Sequence, residues 1–203
     1  MRARTHTNPF NFYEPMEKLN LKDLFPTPKK NIDLEIGFGR GVFLQHWAKK
    51  NKERNIIGVE IRKKIVEETQ SKIQKNALHN LKTLHCNGEI LLRDALDDNV
   101  IENLFIFHPD PWFKTRHHKR RVINSNSIKL IKKKLTSEGK LHFSTDVKSL
   151  WEASKETILK ENFKLIDYNH FWEDDYITHW NKFSDKDNRI TYKGTFSLKT
   201  SDS

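Results

Sequence analysis

The sequence predicts an α/β fold in which helices cover both faces of a mostly parallel β-sheet. Short apolar segments alternate with longer helical segments along most of the 203 residues, an alternation typical of parallel sheets. The first apolar segment, residues 32–36, runs into glycines, as a buried strand does before a tight turn. Hydrophobic residues make up 35% of the chain, which suffices for one core if the strands are fully buried.

The elements are predicted in order along the chain. We expect residues 1–30 to form a basic, partly flexible N-terminal arm with a short helix at 16–25, and residues 31–203 to form a single domain. Strands are predicted at 32–36, 55–60, 81–86, 103–107, 140–144, 163–168 and 190–198, the last one antiparallel. Helices are predicted at 41–50, 62–77, 89–97, 122–135 and 150–161.

Positive charge is concentrated in one part of the chain. Lys and Arg total 37 against 27 Asp and Glu, which gives a formal net charge of +10. Nine cations and no acid lie between Trp112 and Ser137, and such a patch is typical of nucleic-acid binding. A solvated helix face is the alternative, but this patch begins in a loop and includes an aromatic residue. No amphipathic helix with a wide apolar face accompanies the charges, which disfavours a membrane surface.

Other classes of protein are disfavoured by the composition. No apolar run approaches 18 residues and the N-terminus does not resemble a signal peptide, so we expect no membrane association. The single cysteine, Cys86, excludes an internal disulfide and favours the reducing cytoplasm. The ten histidines lack metal-ligand spacing, so we expect no metal. The sequence does not distinguish a monomer from a homodimer.

The loop after the first predicted strand contains an acid and three glycines. Glu35 precedes Gly37, Gly39 and Gly41, and this Gly-x-Gly-x-Gly spacing differs from the Gly-x-Gly-x-x-Gly of dinucleotide binders. A carboxylate at this place would disfavour a pyrophosphate and favour a cation. Glu60 ends the second strand, where an acid can hold both ribose hydroxyls. S-adenosylmethionine, a cationic nucleoside without phosphates, fits both acids; a tight turn with glycines for packing is the alternative.

Two more polar loops follow the third and fourth strands. Asn87 stands where an adenine amino group would be recognised, although a turn-forming Asn-Gly pair is nearly as well supported. Asp110 lies between two prolines, which hold it in a stiff, extended loop. A rigid acid beside Trp112 and many cations suits a protein that holds a nucleobase while it binds phosphates. Trp112 could stack on a base or sugar, or pack the loop. Because loops at the carboxyl ends of parallel strands share one edge, we expect a single site.

These residues resemble a known family, the bacterial tRNA (guanine-N7-)-methyltransferases, which have the Rossmann-like class I methyltransferase fold. The resemblance runs over residues 32–196. Its most specific part joins Pro-Asp-Pro-Trp at 109–112 and the cations of 114–121 to a later Thr-Asp at 145–146. The resemblance implies transfer of a methyl group from S-adenosylmethionine to nitrogen-7 of a guanosine in the variable loop of tRNA.

The resemblance also implies roles for individual residues. The family's acids at the positions of Glu35, Glu60 and Asp110 contact the methyl donor, and the last is also catalytic. Its residues at the positions of Lys114, Asp146, Thr178 and Asn181 contact the substrate. The remaining cations are expected to bind RNA phosphates: Arg116, Lys119, Arg120 and Arg121.

Three departures from the family pattern stand out. Asn87 occupies a position where the family usually has Asp, and His108 replaces a Phe. The family's Thr-x-Phe-Glu appears as Thr-His-Trp-Asn over 178–181, so Asn181 replaces a carboxylate. Asp146 has a second interpretation as a helix N-cap, and Lys114, Thr178 and Asn181 have one as ordinary surface or loop residues. Two other functions stay open: an amino-methyltransferase acting on another nucleobase, and a catalytically impaired or inactive RNA-binding homologue.

Overall fold

A computed structural model describes residues 8–12, 14–180 and 189–199 of the chain. Its centre is a seven-stranded sheet in the order β3-β2-β1-β4-β5-β7-β6, in which β7 is antiparallel to both β5 and β6 and the other strand pairs are parallel. The strands are β1 Ile32–Ile36, β2 Asn55–Glu60, β3 Leu81–His85, β4 Ile101–Phe107, β5 Leu135–Thr145, β6 Phe163–Ile166 and β7 Tyr192–Leu198. The predicted fold class, with its antiparallel C-terminal strand, is confirmed.

Helices connect the strands and cover both faces of the sheet. They are α1 Leu21–Leu24, α2 Val42–Lys50, α3 Lys63–Lys75, α4 Gly88–Ile90, α5 Ser125–Lys134 and α6 Lys148–Lys160. Residues 91–95 and 171–175 form π-helical turns, and residues 9–11 and 115–120 form 3-10 turns.

The strands differ in burial, and the edge strands β3 and β6 are partly exposed. Every residue of β1 and β2 is buried. One apolar cluster joins β1, β4 and β5 to α5 and α6. The other is largely aromatic and joins α2 to β4 and to the turn at 171–175; within it, the ring centroids of Phe43 and Phe105 lie 4.8 Å apart. The two clusters hold the strand ends, and hence the loops after them, in fixed positions.

Several predicted boundaries were wrong, and at two of them an asparagine side chain caps the helix. The basic helix begins at Ser125 rather than 122, because Asn124 caps it through a reciprocal capping box with Ser127. The helix predicted at 16–25 is a single turn that starts after Asn20, whose side chain accepts a hydrogen bond from the Lys22 N–H. Strand β5 begins at Leu135, five residues before its predicted start.

The described part of the N-terminal arm packs on the domain. Phe25 is buried, and Met16, Leu19, Leu21 and Leu24 contact the core. The Leu19 N–H donates to the Ala95 carbonyl over 2.9 Å. Residues 14–25 are therefore attached along the turn at 91–95, and the predicted flexibility of the arm stays a prediction.

Candidate active site

The polar loops singled out in the sequence meet along one edge of the sheet. The strand order brings the ends of β3, β2, β1, β4 and β5 side by side. Across this edge the sequence then supplies, in that order, Asn87, Glu60, Glu35, Asp110 and Asp146. The chain leaves β1 toward β2 on one side and β4 lies on the other, so the edge contains the topological switch point where such sheets bind ligands.

The glycine loop after β1 leaves open space at its surface. Gly37, Gly39 and Gly41 all have positive φ, at 77°, 53° and 65°, and non-glycine residues rarely adopt this conformation. A side chain on Gly37 or Gly39 would meet no atom within 4 Å, whereas one on Gly41 would lie 2.8 Å from Thr69 Cγ2. The first two glycines thus line an open cradle, and the third packs the loop against α3.

Glu35 is a buried carboxylate with an oxygen that is not hydrogen-bonded. The residue is 4% exposed, and its Oε2 has no hydrogen-bond partner among the described residues. Burial, followed by the nearby negative charge of Glu60, raises the pKa of Glu35 to about 8. A cationic ligand beside this carboxylate would stabilise its ionised form. The open cradle and the unpaired oxygen therefore fit the sulfonium and nucleoside of S-adenosylmethionine.

Glu60 is also buried, but its carboxylate is fully engaged. It accepts hydrogen bonds from the Gly39 N–H at 3.1 Å and from Arg62 Nε and Nη2 at 3.0 and 2.8 Å. The hydrogen bonds that Arg62 donates to Glu60 are the main reason that the pKa of Arg62 is raised, and the negative charge of Asp110 adds to it. Arg62 thus links the second strand end to the Asp110 loop, a role that no spacing in the sequence indicates.

Both polar atoms of the Asn87 side chain make hydrogen bonds to backbone groups of the chain. Its Oδ1 accepts from the Glu89 N–H at 2.9 Å and so caps α4, while its Nδ2 donates to the Pro9 carbonyl at 3.1 Å. The geometry therefore favours the turn-and-cap interpretation, with an added contact to the N-terminal arm. The predicted adenine contact of Asn87 stays a prediction.

The Asp110 loop has a strained backbone at both ends and is contacted by two arginines. His108 and Trp112 have positive φ values of 46° and 45°, which are costly for residues other than glycine and typical of functional sites. Arg121 Nε donates to the Pro111 carbonyl at 2.9 Å. The Arg120 guanidinium lies 5.1 Å from the centre of the Trp112 ring. Trp112 is therefore packed within the loop.

Asp146 lies beside His108 after β5. Its side chain is 6% exposed, with Oδ1 3.7 Å from His108 Nδ1 and Oδ2 3.3 Å from an Arg189 nitrogen. The N-cap of α6 is Val147 and makes no side-chain cap, so the N-cap interpretation of Asp146 is wrong. Thr145 Oγ1 accepts the Val147 N–H instead, at 3.2 Å.

A buried hydroxyl connects this acid to the segment at 171–180. Tyr176 Oη lies 2.6 Å from His108 Nε2 and 2.8 Å from Ser144 Oγ, and it is also hydrogen-bonded to Thr178. Burial raises the pKa of Tyr176, so its hydroxyl keeps its proton. Thr178 is buried and belongs to this cluster. No sequence pattern indicates Tyr176 or Ser144, because residues 32 positions apart meet only in the folded chain. Asn181 lies outside the described residues.

The predicted RNA-binding cations divide into two groups. Lys114, Arg116 and Lys119 are exposed, whereas Arg120 and Arg121 are partly buried against the Asp110 loop. His117 lies among them, and partial desolvation and the nearby cations lower its pKa. Lys134, one of the nine patch cations, is buried and bound to the Leu96 carbonyl and Asp98, so it is not available to RNA.

Residues 8–12, 14–180 and 189–199 contain neither a membrane-spanning helix nor a group of side chains able to hold a metal ion. None of their helices is long and apolar enough to span a bilayer. In the same residues, no group of three or more His, Cys, Asp or Glu side chains could hold a metal ion.

Two solved structures with a similar fold are methyltransferases by name. The aminoglycoside resistance methyltransferase NpmB1 matches with a TM-score of 0.62 and 18% identity over 88% of this chain and 92% of that one. A precorrin-6y C5,15-methyltransferase from Geobacter metallireducens GS-15 matches with a TM-score of 0.58 and 11% identity over 95% of each chain. At these identities the likeness concerns the fold alone.

Sequence comparison is more specific. A family model described as a putative methyltransferase matches residues 29–199. The tRNA (guanine-N(7)-)-methyltransferase of Prochlorococcus marinus strain AS9601 is 34% identical over 195 residues, 93% of this chain and 92% of that protein. That of Aquifex aeolicus strain VF5 is 35% identical over 132 residues, 65% of this chain and 44% of that protein. Fold and site define a class I S-adenosylmethionine-dependent methyltransferase. Within that class, the chain belongs to the tRNA (guanine-N(7)-)-methyltransferase family.

Proposed function

We propose that this protein transfers a methyl group from S-adenosylmethionine to nitrogen-7 of a guanosine in the variable loop of tRNA. The observation that carries the proposal is the order of carboxylates along the sheet edge: Glu60 and Glu35 on the cofactor side, Asp146 on the other, and Asp110 between them. The names of the relatives support the choice of tRNA and of guanine nitrogen-7. We further propose that the protein works in the cytoplasm as a monomer or a homodimer.

The cofactor side consists of the glycine cradle and its acids. Gly37, Gly39 and Gly41 form the turn along which the nucleoside would lie, and Glu60 would accept from the ribose hydroxyls once Arg62 moves aside. Glu35 would lie near the positive charge, which matches its unpaired oxygen. Asn87 would lie beside the adenine. Because its side chain caps α4, it would contact the adenine mainly through its backbone. S-adenosylmethionine supplies the electrophilic methyl group when bound.

The guanine side needs acceptors and no strong base. Nitrogen-7 carries an available lone pair and attacks without losing a proton, whereas the ring NH and exocyclic amine of guanine are donors that a carboxylate can accept together. We assign to Asp146 the acceptance of these two hydrogen bonds from guanine. Thr178, Lys114 and Asn181 are proposed as further substrate contacts. Asp110 is assigned to orient the base and to stabilise the positive charge that develops on it during methylation. Holding nitrogen-7 in line with the methyl group would supply much of the acceleration.

The exposed cations would bind the RNA backbone. Phosphate contacts release counterions, so affinity for tRNA should fall steeply as salt concentration rises. Replacing Arg116 and Lys119 together by Ala should reduce the magnitude of the slope of log affinity against log salt by about 2, close to one unit per phosphate contact. Filter binding or fluorescence anisotropy from low to moderate salt measures this slope.

A matched control uses two cations elsewhere. Lys72 and Lys75 in the last turn of α3 are also exposed, and their double replacement by Ala removes the same charge. It should leave the slope close to the wild-type value. A flat wild-type salt response, or equal effects of the two double variants, contradicts the assignment of Arg116 and Lys119 to phosphate contacts. We assign Arg120 and Arg121, which are partly buried, to holding the loop as well as to the RNA.

The reaction itself is tested with unmodified tRNA and labelled S-adenosylmethionine. The expected product is a single 7-methylguanosine, identified by nucleoside analysis and located in the variable loop by chain scission at the methylated base. Label on adenine or cytosine would favour an amino-methyltransferase of the same class. No transfer and no binding of the cofactor would favour an RNA-binding homologue without activity.

A further inference from the structure

His108 presents a buried ring nitrogen that the proposed reaction does not yet use. Its side chain is 1% exposed, and Nδ1 makes no hydrogen bond to any residue in the described part of the chain. Leaving such a nitrogen unpaired costs free energy unless a partner arrives. His108 lies two residues before Asp110 and has φ 46°, a strained backbone conformation that persists only where surrounding contacts maintain it.

One arrangement of the surrounding hydroxyl protons places the imidazole proton on Nδ1. Ser144 and Thr178 both reach the Tyr176 oxygen, which can accept from both and donate its one proton to His108 Nε2. With Nε2 as an acceptor, the neutral imidazole has its proton on Nδ1. The unpaired nitrogen is then a hydrogen-bond donor, and it lies 3.7 Å from the acceptor Asp146 Oδ1.

Three candidate guanine contacts lie close together in the chain or on adjacent strands. His108 and Asp146 follow the adjacent strands β4 and β5, in which Phe107 pairs with Ser144, and Asp110 comes next along the loop. On guanine, oxygen-6 lies between nitrogen-7 and the ring NH. If nitrogen-7 points toward Asp110 and the ring NH contacts Asp146, oxygen-6 would face His108, whose Nδ1 lies 3.7 Å from Asp146 Oδ1.

We propose that His108 is a specificity-determining residue: its Nδ1–H donates to oxygen-6 of the target guanine, while Asp146 accepts from the neighbouring ring NH. The pair would select guanine because adenine offers a donor where guanine has oxygen-6 and an acceptor where it has the ring NH. This inference rests on the proposed function, and it assigns a role to a buried ring nitrogen that makes no hydrogen bond in the described part of the chain.

The test changes one atom of the substrate and one side chain of the enzyme. A tRNA carrying 6-thioguanosine at the methylated position keeps nitrogen-7, the ring NH and the amine, but its sulfur is a poor acceptor. Wild-type kcat/KM should be about tenfold lower on this tRNA, the cost of one lost hydrogen bond. His108→Phe should act on both tRNAs about equally, because it has no donor for either atom. His108→Asn, which restores an N–H near Nδ1, should recover part of the discrimination.

Controls separate this inference from the reaction and from folding. His79→Phe, at an exposed site between α3 and β3, should discriminate between the two tRNAs in kcat/KM as the wild-type protein does. If wild-type protein forms no 7-methylguanosine on ordinary tRNA, the proposed function itself fails. If it does form 7-methylguanosine, the ratio of kcat/KM on ordinary tRNA to kcat/KM on 6-thioguanosine tRNA decides. A ratio near one in the wild-type protein, or a tenfold ratio retained by His108→Phe, overturns the role of His108. Should His108→Phe fail to fold, Tyr176→Phe replaces it: reduced discrimination is expected, and unchanged discrimination overturns the inference.

Discussion

Replacing Asp110 by Asn is expected to lower kcat for methyl transfer by about 100-fold or more, while tRNA affinity changes only a few fold. The amide keeps the shape of the side chain but cannot balance the positive charge that develops on the base, and removal of one such electrostatic contact typically costs this much. Single-turnover methylation of saturating tRNA with saturating cofactor measures the effect. Asp110→Ala should be at least as impaired.

A matched control changes a distant acid in the same way. Asp167 is exposed after β6, and Asp167→Asn should leave turnover unchanged. Full turnover by Asp110→Ala would contradict any role of this carboxylate in the reaction. Loss of tRNA binding alone, with unchanged single-turnover rate at saturation, would make Asp110 a binding residue instead.

Glu35→Gln is expected to change how the stability of the free protein depends on pH. The pKa of Glu35 is raised to about 8 in the folded chain, from an ordinary value near 4.5. The folded state therefore binds the proton more strongly, and the free energy of unfolding should fall as pH rises from about 4.5 through about 8, by a few kcal/mol. The amide introduced by Glu35→Gln does not ionise, so it does not contribute to this fall in the free energy of unfolding. Urea unfolding at pH 5 and pH 8.5 should show a smaller loss of stability in the variant.

The same substitution should weaken binding of the cofactor. A sulfonium beside Glu35 favours its ionised form, so binding to wild-type protein should release a proton below about pH 8. Glu35→Gln should bind S-adenosylmethionine at least about tenfold more weakly and without that proton release, a loss of one charge-assisted contact. Calorimetry in buffers of different ionisation enthalpy measures both quantities. Equal affinity of the two proteins, or lower stability of the variant at pH 8.5, would contradict the account of Glu35.

Local patterns in the sequence predict the fold and the edge of the sheet that holds the site. Strands β1 and β2 have the predicted bounds, because buried apolar runs that end in glycines or an acid are unambiguous. Given the parallel order, the loops after five strands must meet, and they do. The family resemblance added the assignment of each acid to cofactor or substrate.

The partners of those acids could not be predicted. His108 and Tyr176 are 68 positions apart, and only tertiary packing brings their side chains to 2.6 Å. Arg62 looks like one more surface cation at the start of a helix, yet it holds the Glu60 carboxylate. Asn87 was ambiguous because an amide can cap a turn or contact a base, and its hydrogen bonds favour the turn. In each case the hydrogen-bond geometry, rather than the residue type, determines the contact.

The central claim is that guanine is held by donors and acceptors away from nitrogen-7, which is free to attack the methyl group. The most direct measurement uses a tRNA in which 7-deazaguanosine, with carbon in place of nitrogen-7, replaces the methylated guanosine. Because oxygen-6, the ring NH and the amine are retained, we expect affinity within about twofold of ordinary tRNA, in keeping with unchanged hydrogen bonds. Methyl transfer to that residue should be abolished. Continued methylation of the 7-deaza base would contradict the account.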